Sequence, residues 1–401
     1  MNRCEGSFIG CESAGAGADR HRAYLARRYI PELDGLRAIS ALLVVSVHMG
    51  DGVWWWLNGA EGVTVFFVLS GYLITRLALI EERTRGCLNK TAFFIRRTSR
   101  LFPLYYFVLA VNCLLIFGLG IEAGKRRIMA SGLPYYLTYM QDVFSSLVNK
   151  LAWTSPYTQT WTLGVEEKFY LLWPFVGFVI WRRSPKLRLS GTVLLMIVAG
   201  SAFAWAGPSF GSLIHPYSQI LIGCLVALAL DDPRWFAKAE WLARARVRRV
   251  VLGVFLTIHF AMPYVDFGPY GLPRALYATA AAGLLVALLL GTGPVQRFLG
   301  RPSLVLIGRL SYGIYLVHLL ARDAAEQIAP PGTNNPLVSA AALLLAWAIS
   351  VGAAWVLYHA IEIHGIRLGR RWSAALLSAD RSRPRAEPSS AVRLVLPQAS
   401  D

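Results

Sequence analysis

Long apolar runs separated by short basic clusters dominate this sequence and restrict what it can fold into. Of its 401 residues, 55% are hydrophobic and only 16% are charged. A soluble domain carries a much larger charged fraction. The sequence therefore predicts an all-α integral membrane protein.

Ten segments are apolar and long enough to cross about 30 Å of hydrocarbon. They are 38–57, 63–80, 101–121, 163–181, 192–205, 213–230, 250–264, 275–290, 304–320 and 337–361. Basic clusters follow the even-numbered segments, so the positive-inside rule predicts that both termini are cytoplasmic. We expect a bundle of about ten transmembrane helices.

One further segment, 128–148, is moderately apolar. Counting it as a span would move the basic residues at 182–188 to the outer side, so we expect it to be re-entrant or interfacial at the outer face. The predicted membrane domain is 29–371. A disordered cytoplasmic N-terminus is expected at 1–28 and a disordered cytoplasmic tail at 372–401.

The net charge of +17 raises the question of nucleic-acid binding. The basic residues lie in clusters between apolar runs rather than on one amphipathic face, so positive loops explain them and no nucleic-acid partner is expected. The five cysteines show no metal-type spacing, so neither a zinc site nor a disulfide framework is indicated. The absence of an internal repeat disfavours a transporter.

Two ionisable residues stand eleven positions apart at the two ends of the apolar run 37–48: Arg37 directly precedes the first predicted span and His48 lies within it. Titratable groups in a membrane span are costly and are functional candidates by default. An arginine in the first turn can extend to the headgroups, whereas an imidazole further along can act as a base. We therefore expect His48 to be catalytic.

The predicted orientation groups the other intramembrane polar residues by depth. Arg97 and Arg100 lie near the inner ends with Arg37, and their spacing of three puts them on one helix face. Arginine binds phosphate oxygens bidentately, so a polyphosphate donor suits this inner region. Glu166 and His318 lie near the outer ends with His48.

Glu166 and Tyr170 share a helix face, while the adjacent Glu167 points about 100° away. A carboxylate beside His48 could orient the imidazole and stabilise the imidazolium that forms in catalysis. We therefore predict that Glu166 performs this task. Glu167 is open to a different interpretation, a pair with Lys168 or a position at the interface.

Five motifs, taken together, resemble the membrane acyltransferase-3 family. Three of them lie at 29–48, 62–75 and 94–105. Residues 161–174 resemble the family signature WSLSVEEQFYLLWP, and residues 308–318 resemble its ninth-span pattern SYxxYLxH. The motifs occur in the family's order and extend over 29–371.

This resemblance implies a ten-helix O-acyltransferase of the bacterial cytoplasmic membrane. Such an enzyme moves an acyl group, usually acetyl from acetyl-CoA, onto a hydroxyl of a surface glycan or a secondary metabolite, and no metal is implied. The family's Arg-x10-His pair corresponds to Arg37 and His48, its Arg-x-x-Arg to Arg97 and Arg100, and its motif glutamate to Glu166. Some members carry a fused esterase-like domain, for which this chain is too short.

The expected site has three parts. The catalytic set is His48, Glu166 and Arg37; the donor-binding set is Arg37, Arg97 and Arg100; and the substrate-binding set is Trp161, Tyr170 and His318. His48 would act as the general base on the acceptor hydroxyl, although an acyl-histidine intermediate is also open.

Four positions depart from the family pattern and leave the acceptor side open. Gln159 stands where the family often has histidine, Thr162 replaces the motif serine, Thr64 replaces an acidic residue, and no proline follows Glu362 in the closing motif. A macrolide-like or other small metabolite is the alternative acceptor. A proton-coupled transporter with His48, Glu166 and His318 as a relay is the alternative from another class.

Overall fold

The computed structural model describes residues 8–49, 52–182, 184–265, 271–328, 330 and 335–382. Within these ranges every regular element is helical and no strand is present. In chain order the helices are α1 (Phe8–Ala26), α2 (Pro31–Val47), α3 (Glu61–Arg85), α4 (Lys90–Cys113), α5 (Arg126–Leu137), α6 (Gln141–Val143), α7 (Trp161–Phe175), α8 (Pro185–Gly200), α9 (Ala202–Ile214), α10 (Pro216–Asp231), α11 (Pro233–Ala239), α12 (Ala245–Ala261), α13 (Gly271–Leu290), α14 (Pro294–Leu299), α15 (Pro302–Ile328), α16 (Pro336–Leu357) and α17 (Ile363–Ser382). The predicted all-α class is confirmed for this part of the chain.

Local sequence signals explain where the principal helices begin and end. Pro31 and Pro336 open α2 and α16, because the first turn of a helix needs no N–H and the fixed φ of proline suits it. The Asn89 side chain accepts a hydrogen bond from the Ala92 amide at the start of α4. Gly86 ends α3 with φ of 79°, a conformation that favours glycine.

Five helical stretches of the described residues are long and apolar enough to cross a membrane. They are Trp55–Arg85, Lys90–Gly118, Leu272–Leu290, Pro302–Ile328 and Pro336–Ser378. The pair α8 and α9, bent by 71° at their junction, would make a sixth. These apolar helices support a multi-pass membrane protein.

The bundle of ten spans is not confirmed and stays a prediction. The other predicted segments coincide with shorter helices, among them α7 with 15 residues, α10 with 16, and α2 and α12 with 17 each. Two boundaries were wrong. Helix α2 ends at Val47 rather than at residue 57, and the predicted span 192–205 crosses the break at Ser201 between α8 and α9.

Both predicted disordered ends contain helix. Helix α1 occupies Phe8–Ala26, and the Arg76 side chain on α3 donates hydrogen bonds to the carbonyls of Tyr24 and Arg27 at 2.9 and 2.6 Å. These bonds fix the end of α1 to the bundle. At the other end, α17 extends to Ser382, past the predicted boundary at 371. Residues 1–7 and 383–401 lie outside the described residues.

Helices α3 and α10 cross closely through two glycines. A Cβ on Gly71 would lie 1.8 Å from the carbonyl oxygen of Ile220, and a Cβ on Gly223 would lie 2.0 Å from that of Val68. No side chain fits at either position, so the two backbones can approach only because both residues are glycine. The crossing fixes the position of α3, which carries much of the site.

The remaining contacts arrange helices around a central space. Helix α15 packs against α2 and α16, and α17 packs against α4. At the α2–α15 contact, a Cβ on Gly308 would lie 1.9 Å from the carbonyl oxygen of Asp34. Helices α2, α3, α4, α7, α15 and α17 each contribute side chains to this space.

Segment 128–148 forms α5, α6 and a π-helical turn at Phe144–Val148 rather than one spanning helix. The Tyr105 hydroxyl on α4 donates to the Tyr136 carbonyl at 2.8 Å. The Asp142 carboxylate, which is buried, pairs with the Lys168 ammonium on α7 at 2.5 Å. Lys168 therefore binds Asp142, not Glu167. The membrane face at which this segment lies stays a prediction.

Candidate active site

A large cavity in the central space is lined mainly by arginine and by the apolar face of α3. Its volume is about 830 Å³, within the usual range for small-molecule sites. Its α3 lining runs from Val63 to Arg85, which is about 33 Å of helix at 1.5 Å per residue. We call it the arginine cavity.

Of the residues that the structure describes, seven arginines and two glutamates line the arginine cavity, so it carries a strong positive potential. The arginines come from five parts of the chain: Arg28, Arg37, Arg85, Arg96, Arg97, Arg100 and Arg370. Among the described residues neither Arg37 nor Arg97 forms an ion pair with a carboxylate. Their charge is thus available to an anionic ligand.

Glu166 lies in the arginine cavity rather than beside His48. Its Oε2 accepts a hydrogen bond from the Tyr170 hydroxyl at 2.9 Å, and Arg97 lies 4.8 Å above the Tyr170 ring. The carboxylate also interacts electrostatically with Arg37 and Arg97. Among the described residues Glu166 forms no hydrogen bond or ion pair with His48, so its role in orienting the imidazole stays a prediction without a contact to support it.

Arg100 faces a buried carboxylate that the sequence analysis left open. Arg100 Nε lies 3.5 Å from Oε1 of Glu362, whose side chain is 1% exposed. Glu362 belongs to a π-helical turn at Tyr358–Glu362 that joins α16 to α17. Such turns often occur at functional sites. The signal in the sequence is the closing motif at Glu362, which lacks the proline of the family pattern.

A second, smaller cavity of about 340 Å³ contains His48. It is also lined by Trp161, Gln159 and Arg322, and it opens to the surface beside Trp153, which is 50% exposed. We call it the histidine cavity.

His48 is held in the tautomer that a base requires. Its Nδ1 lies 2.8 Å from the Val44 carbonyl oxygen. Since a carbonyl can only accept, Nδ1 carries the proton and Nε2 keeps its lone pair. His48 lies just past the end of α2, so the side chain reaches the cavity instead of the helix-packing surface.

His318 is the immediate neighbour of His48. The two imidazole centroids are 4.8 Å apart with an angle of 63° between the ring planes. His318 is completely buried, and its Nδ1 lies 2.7 Å from the Tyr315 carbonyl, while Nε2 has no hydrogen-bond partner among the described residues. The expected proximity of His48 and His318 is therefore present in the structure.

The predicted site residues thus divide into two groups. Arg37, Arg97, Arg100, Glu166 and Tyr170 meet in the arginine cavity. His48 and Trp161 line the histidine cavity, with His318 packed on His48. Tyr170, predicted to bind substrate, lies on the arginine side. Another buried histidine, His259, has a separate environment: its ring nitrogens lie 2.8 Å from the Tyr277 hydroxyl and 3.0 Å from the Leu57 carbonyl.

Sequence reasoning missed four arginines of the cavity: Arg28, Arg85, Arg96 and Arg370. The positive-inside rule explains a basic residue near a helix end equally well whether it faces lipid headgroups or a cavity. No signal in the sequence separates these two cases. Among the described residues no cluster of His, Cys, Asp and Glu could hold a metal ion.

Comparison with known proteins gives consistent matches. The family profile described as "Acyltransferase domain" matches residues 30–359. Peptidoglycan O-acetyltransferase OatA of Listeria monocytogenes is 29% identical over 308 residues, which are 73% of this chain and 49% of the relative. Putative peptidoglycan O-acetyltransferase YrhL of Bacillus subtilis is 30% identical over 318 residues, 73% of this chain and 48% of the relative.

O-acetyltransferase OatA of Staphylococcus aureus is 26% identical over 311 residues, 73% of this chain and 50% of the relative. The chain therefore spans about half the length of these curated relatives. No solved structure matches.

Proposed function

Since this chain belongs to the acyltransferase domain family, we propose that it transfers an acyl group to a hydroxyl group across the membrane. Family membership confirms the resemblance that the sequence motifs indicate. The acceptor we propose is a cell-surface or exported glycan, because relatives of this chain are named as peptidoglycan O-acetyltransferases. The donor we propose is acetyl-CoA or another acyl-CoA.

One observation carries the proposal: the arginine cavity follows α3 to the side chains that separate it from the histidine cavity. A donor with phosphates at one end and a thioester at the other would bind its phosphates at Arg37, Arg97 and Arg100. Its arm would then extend along α3 toward His48. In this orientation the arginine end is cytoplasmic and the histidine end faces outward.

In the proposed reaction His48 Nε2 takes the proton of the acceptor hydroxyl. The hydroxyl oxygen attacks the thioester carbonyl, an O–C bond forms, and the C–S bond breaks. The imidazolium then returns its proton to the leaving thiolate. The Val44 carbonyl holds Nδ1–H throughout, so the imidazole keeps one orientation during both proton transfers.

Glu166 has a different role in this proposal from the one that its motif position suggests. Its carboxylate lies among Arg37, Arg97 and Tyr170, where it would hold the arginines in place around the donor. A proton relay through His48, Glu166 and His318 has less support, because Glu166 contributes to the other cavity.

The test uses purified protein in lipid nanodiscs, acetyl-CoA with a labelled acetyl group, and a glycan fragment of peptidoglycan as acceptor. We expect labelled ester on the glycan without any proton gradient, and none when acetyl-CoA is omitted. A macrolide offered in parallel tests the small-metabolite acceptor. Labelling that requires a proton gradient would favour a transporter instead.

The matched pair of variants is His48→Ala and His359→Ala. His359 is exposed on the π-helical turn and lines neither cavity. Loss of a general base lowers the rate by about 100- to 10,000-fold, so we expect that loss in His48→Ala and full activity in His359→Ala. A correctly inserted His48→Ala protein with normal activity would refute the mechanism.

A further inference from the structure

Residues that are adjacent in the chain or hydrogen-bonded to each other line the two cavities on opposite sides. Trp161 lines the histidine cavity, whereas the next residue, Thr162, lines the arginine cavity. Tyr315 on α15 lines the arginine cavity beside Thr162, and Gln159 lines the histidine cavity. We call Gln159, Thr162 and Tyr315 the partition.

The Tyr315 hydroxyl closes the partition by hydrogen bonds. It donates to the Gln159 carbonyl and lies 2.6 Å from Thr162 Oγ1. Because the Tyr315 proton goes to the carbonyl, the Thr162 hydroxyl is the donor to Tyr315. Gln159 Nε2 also donates to the Leu316 carbonyl at 3.0 Å. All three partition residues are buried, so this junction excludes solvent.

Polar atoms without partners occur at the partition as well. Ser311 Oγ, on the arginine side, and Gln159 Oε1, on the histidine side, have no hydrogen-bond partner among the residues described. Their residues are 1% and 4% exposed. Burying an unpaired polar group is costly. These atoms can be satisfied by a polar ligand that lies between the cavities, such as an arm containing amide groups.

Tyr315 also touches the catalytic pair through its backbone. Its carbonyl oxygen lies 2.7 Å from His318 Nδ1, and the His318 ring packs on His48. The residue whose side chain closes the partition therefore holds the imidazole next to the base. A movement of Tyr315 would therefore change both the partition and the position of the His318 imidazole beside His48.

We propose that Tyr315 is a gate between the two cavities, a positioning residue that admits the acyl end of the donor to His48. In the closed state the Tyr315 hydroxyl donates its hydrogen bond to the Gln159 carbonyl oxygen. A donor arm with amide N–H groups takes over that carbonyl and displaces the ring, so the gate opens only for a narrow, amide-bearing thioester. The inference rests on the proposed function for the identity of the donor.

The gate has a chemical purpose in excluding water. If water reaches the thioester, its oxygen attacks the carbonyl and the C–S bond breaks, with His48 Nε2 moving the water proton to the thiolate. The products are the free acid and the thiol. A closed partition prevents this loss until the donor arm fills the passage.

The first measurement does not depend on acyl transfer. If Tyr315 separates the two cavities, removal of its ring joins them into one passage, so liposomes that contain Tyr315→Ala should lose an imposed pH gradient about tenfold faster than wild type. Tyr312→Ala is the matched control for this leak, because Tyr312 lines the same cavity one turn away and donates instead to the Leu101 carbonyl at 2.7 Å. Liposomes that hold the gradient as wild type does would overturn the gate.

The second measurement uses Tyr315→Phe, which keeps the ring and loses only the hydroxyl. Hydrolysis of acetyl-CoA without acceptor should rise about threefold or more, and the KM for acetyl-CoA should not rise, because the donor arm no longer competes with a hydroxyl for the Gln159 carbonyl. The added His48→Ala substitution should abolish that excess. The proposal would be overturned if Tyr315→Phe hydrolysed acetyl-CoA at the wild-type rate. It would also be overturned if hydrolysis and thermal stability fell together, because Tyr315 would then have only a structural role.

The two measurements separate this inference from the proposed function. If Tyr315→Ala leaks protons but the wild-type protein cannot transfer acetyl from acetyl-CoA, the barrier role of the partition is supported and acetyl-CoA is refuted as the donor. Normal transfer in wild type, with neither leak nor hydrolysis in the Tyr315 variants, would reject the gate alone.

Discussion

The arginine cavity and the histidine cavity differ in how their polar groups are held. In the first, seven guanidinium groups face two carboxylates across about 830 Å³. In the second, which is less than half as large, two imidazoles are held by the backbone carbonyls of Val44 and Tyr315. Long charged side chains surround one space, and short-range backbone contacts fix the other.

This difference follows from what each cavity would have to do. Binding a polyanion needs charge density more than exact position, because electrostatic attraction acts over several ångströms. Proton transfer needs the base within hydrogen-bond reach of one proton. Arginines can therefore come from scattered parts of the chain, whereas the two histidines need neighbouring helices with fixed register. The two cavities should thus respond to different substitutions.

The largest effect is expected for Arg97→Ala combined with Arg100→Ala. Each lost charge-assisted contact weakens donor binding by about 1.5–3 kcal/mol, so the KM for acetyl-CoA should rise by about 100-fold or more while kcat changes little. Steady-state kinetics with varied acetyl-CoA measures it. Arg309→Ala is the control, because Arg309 is exposed and does not line the cavity. A drop in kcat at unchanged KM would contradict the assignment of donor binding to the arginine cavity and of chemistry to the histidine cavity.

A substitution in the scaffold should affect both cavities together. Gly223→Ala puts a Cβ 2.0 Å from the Val68 carbonyl and forces α3 away from α10, at a cost of about 1–3 kcal/mol in the free energy of unfolding. Thermal unfolding in detergent measures it as a lower Tm. Gly253→Ala on α12 meets nothing within 4 Å and should keep the Tm of wild type. Equal Tm values for both variants would contradict the packing argument.

Glu166→Gln tests the reassignment of Glu166 to the arginine cavity. Loss of the carboxylate that holds Arg37 and Arg97 around the donor should raise the KM for acetyl-CoA by about 3- to 10-fold, and the pH dependence of kcat should keep its wild-type shape. Glu167→Gln is the control, since the neighbouring residue does not line the cavity. If Glu166 instead supported His48, the pH profile of kcat would shift and the donor KM would not.

The smallest effect is expected at the wall of the histidine cavity. Trp161 packs edge-on against Phe67 and Trp153, with ring centroids 6.1 and 6.0 Å apart. Trp161→Phe should raise the acceptor KM by about 2- to 10-fold through lost aromatic contact and leave the donor KM unchanged. Steady-state kinetics with varied concentrations of the glycan fragment measures the acceptor KM. Trp205→Phe is the control, because Trp205 is exposed. A change in the donor KM would show that the wall serves both cavities.

Periodicity and hydropathy were sufficient for the helical class and for most helix positions. Apolar segments found in the sequence coincide with helices because an apolar run leaves few other ways to satisfy the backbone in lipid. The boundaries failed at α2 and at the α8–α9 break. Within α9 the backbone also leaves helical geometry at Gly207, directly before Pro208, with φ of 74° and ψ of 177°, and hydropathy averaged over a window does not register such breaks.

The two ends of the site were predictable to different degrees. His48 and Arg37 followed from one apolar run with a titratable residue at each end, since Arg37 lies on α2 and His48 directly follows its last residue. The position of Glu166 could not be predicted from the sequence, because the face of α7 that carries Glu166 could pack near either end of the neighbouring helices. The same holds for Glu362, which reaches Arg100 only through the packing of α17 on α4.

The sequence by itself determined that this protein is helical, crosses a membrane and carries an acyltransferase domain with His48 and the arginines as its candidate residues. These properties depend on local composition, spacing and motif order, which a linear chain already contains. Only the tertiary structure decided that the site consists of two cavities, that Glu166 belongs with the arginines, and that His318 belongs with His48. The reason is physical: contacts between residues more than 100 positions apart depend on helix register and crossing, and these are set by close packing such as that of Gly71 and Gly223.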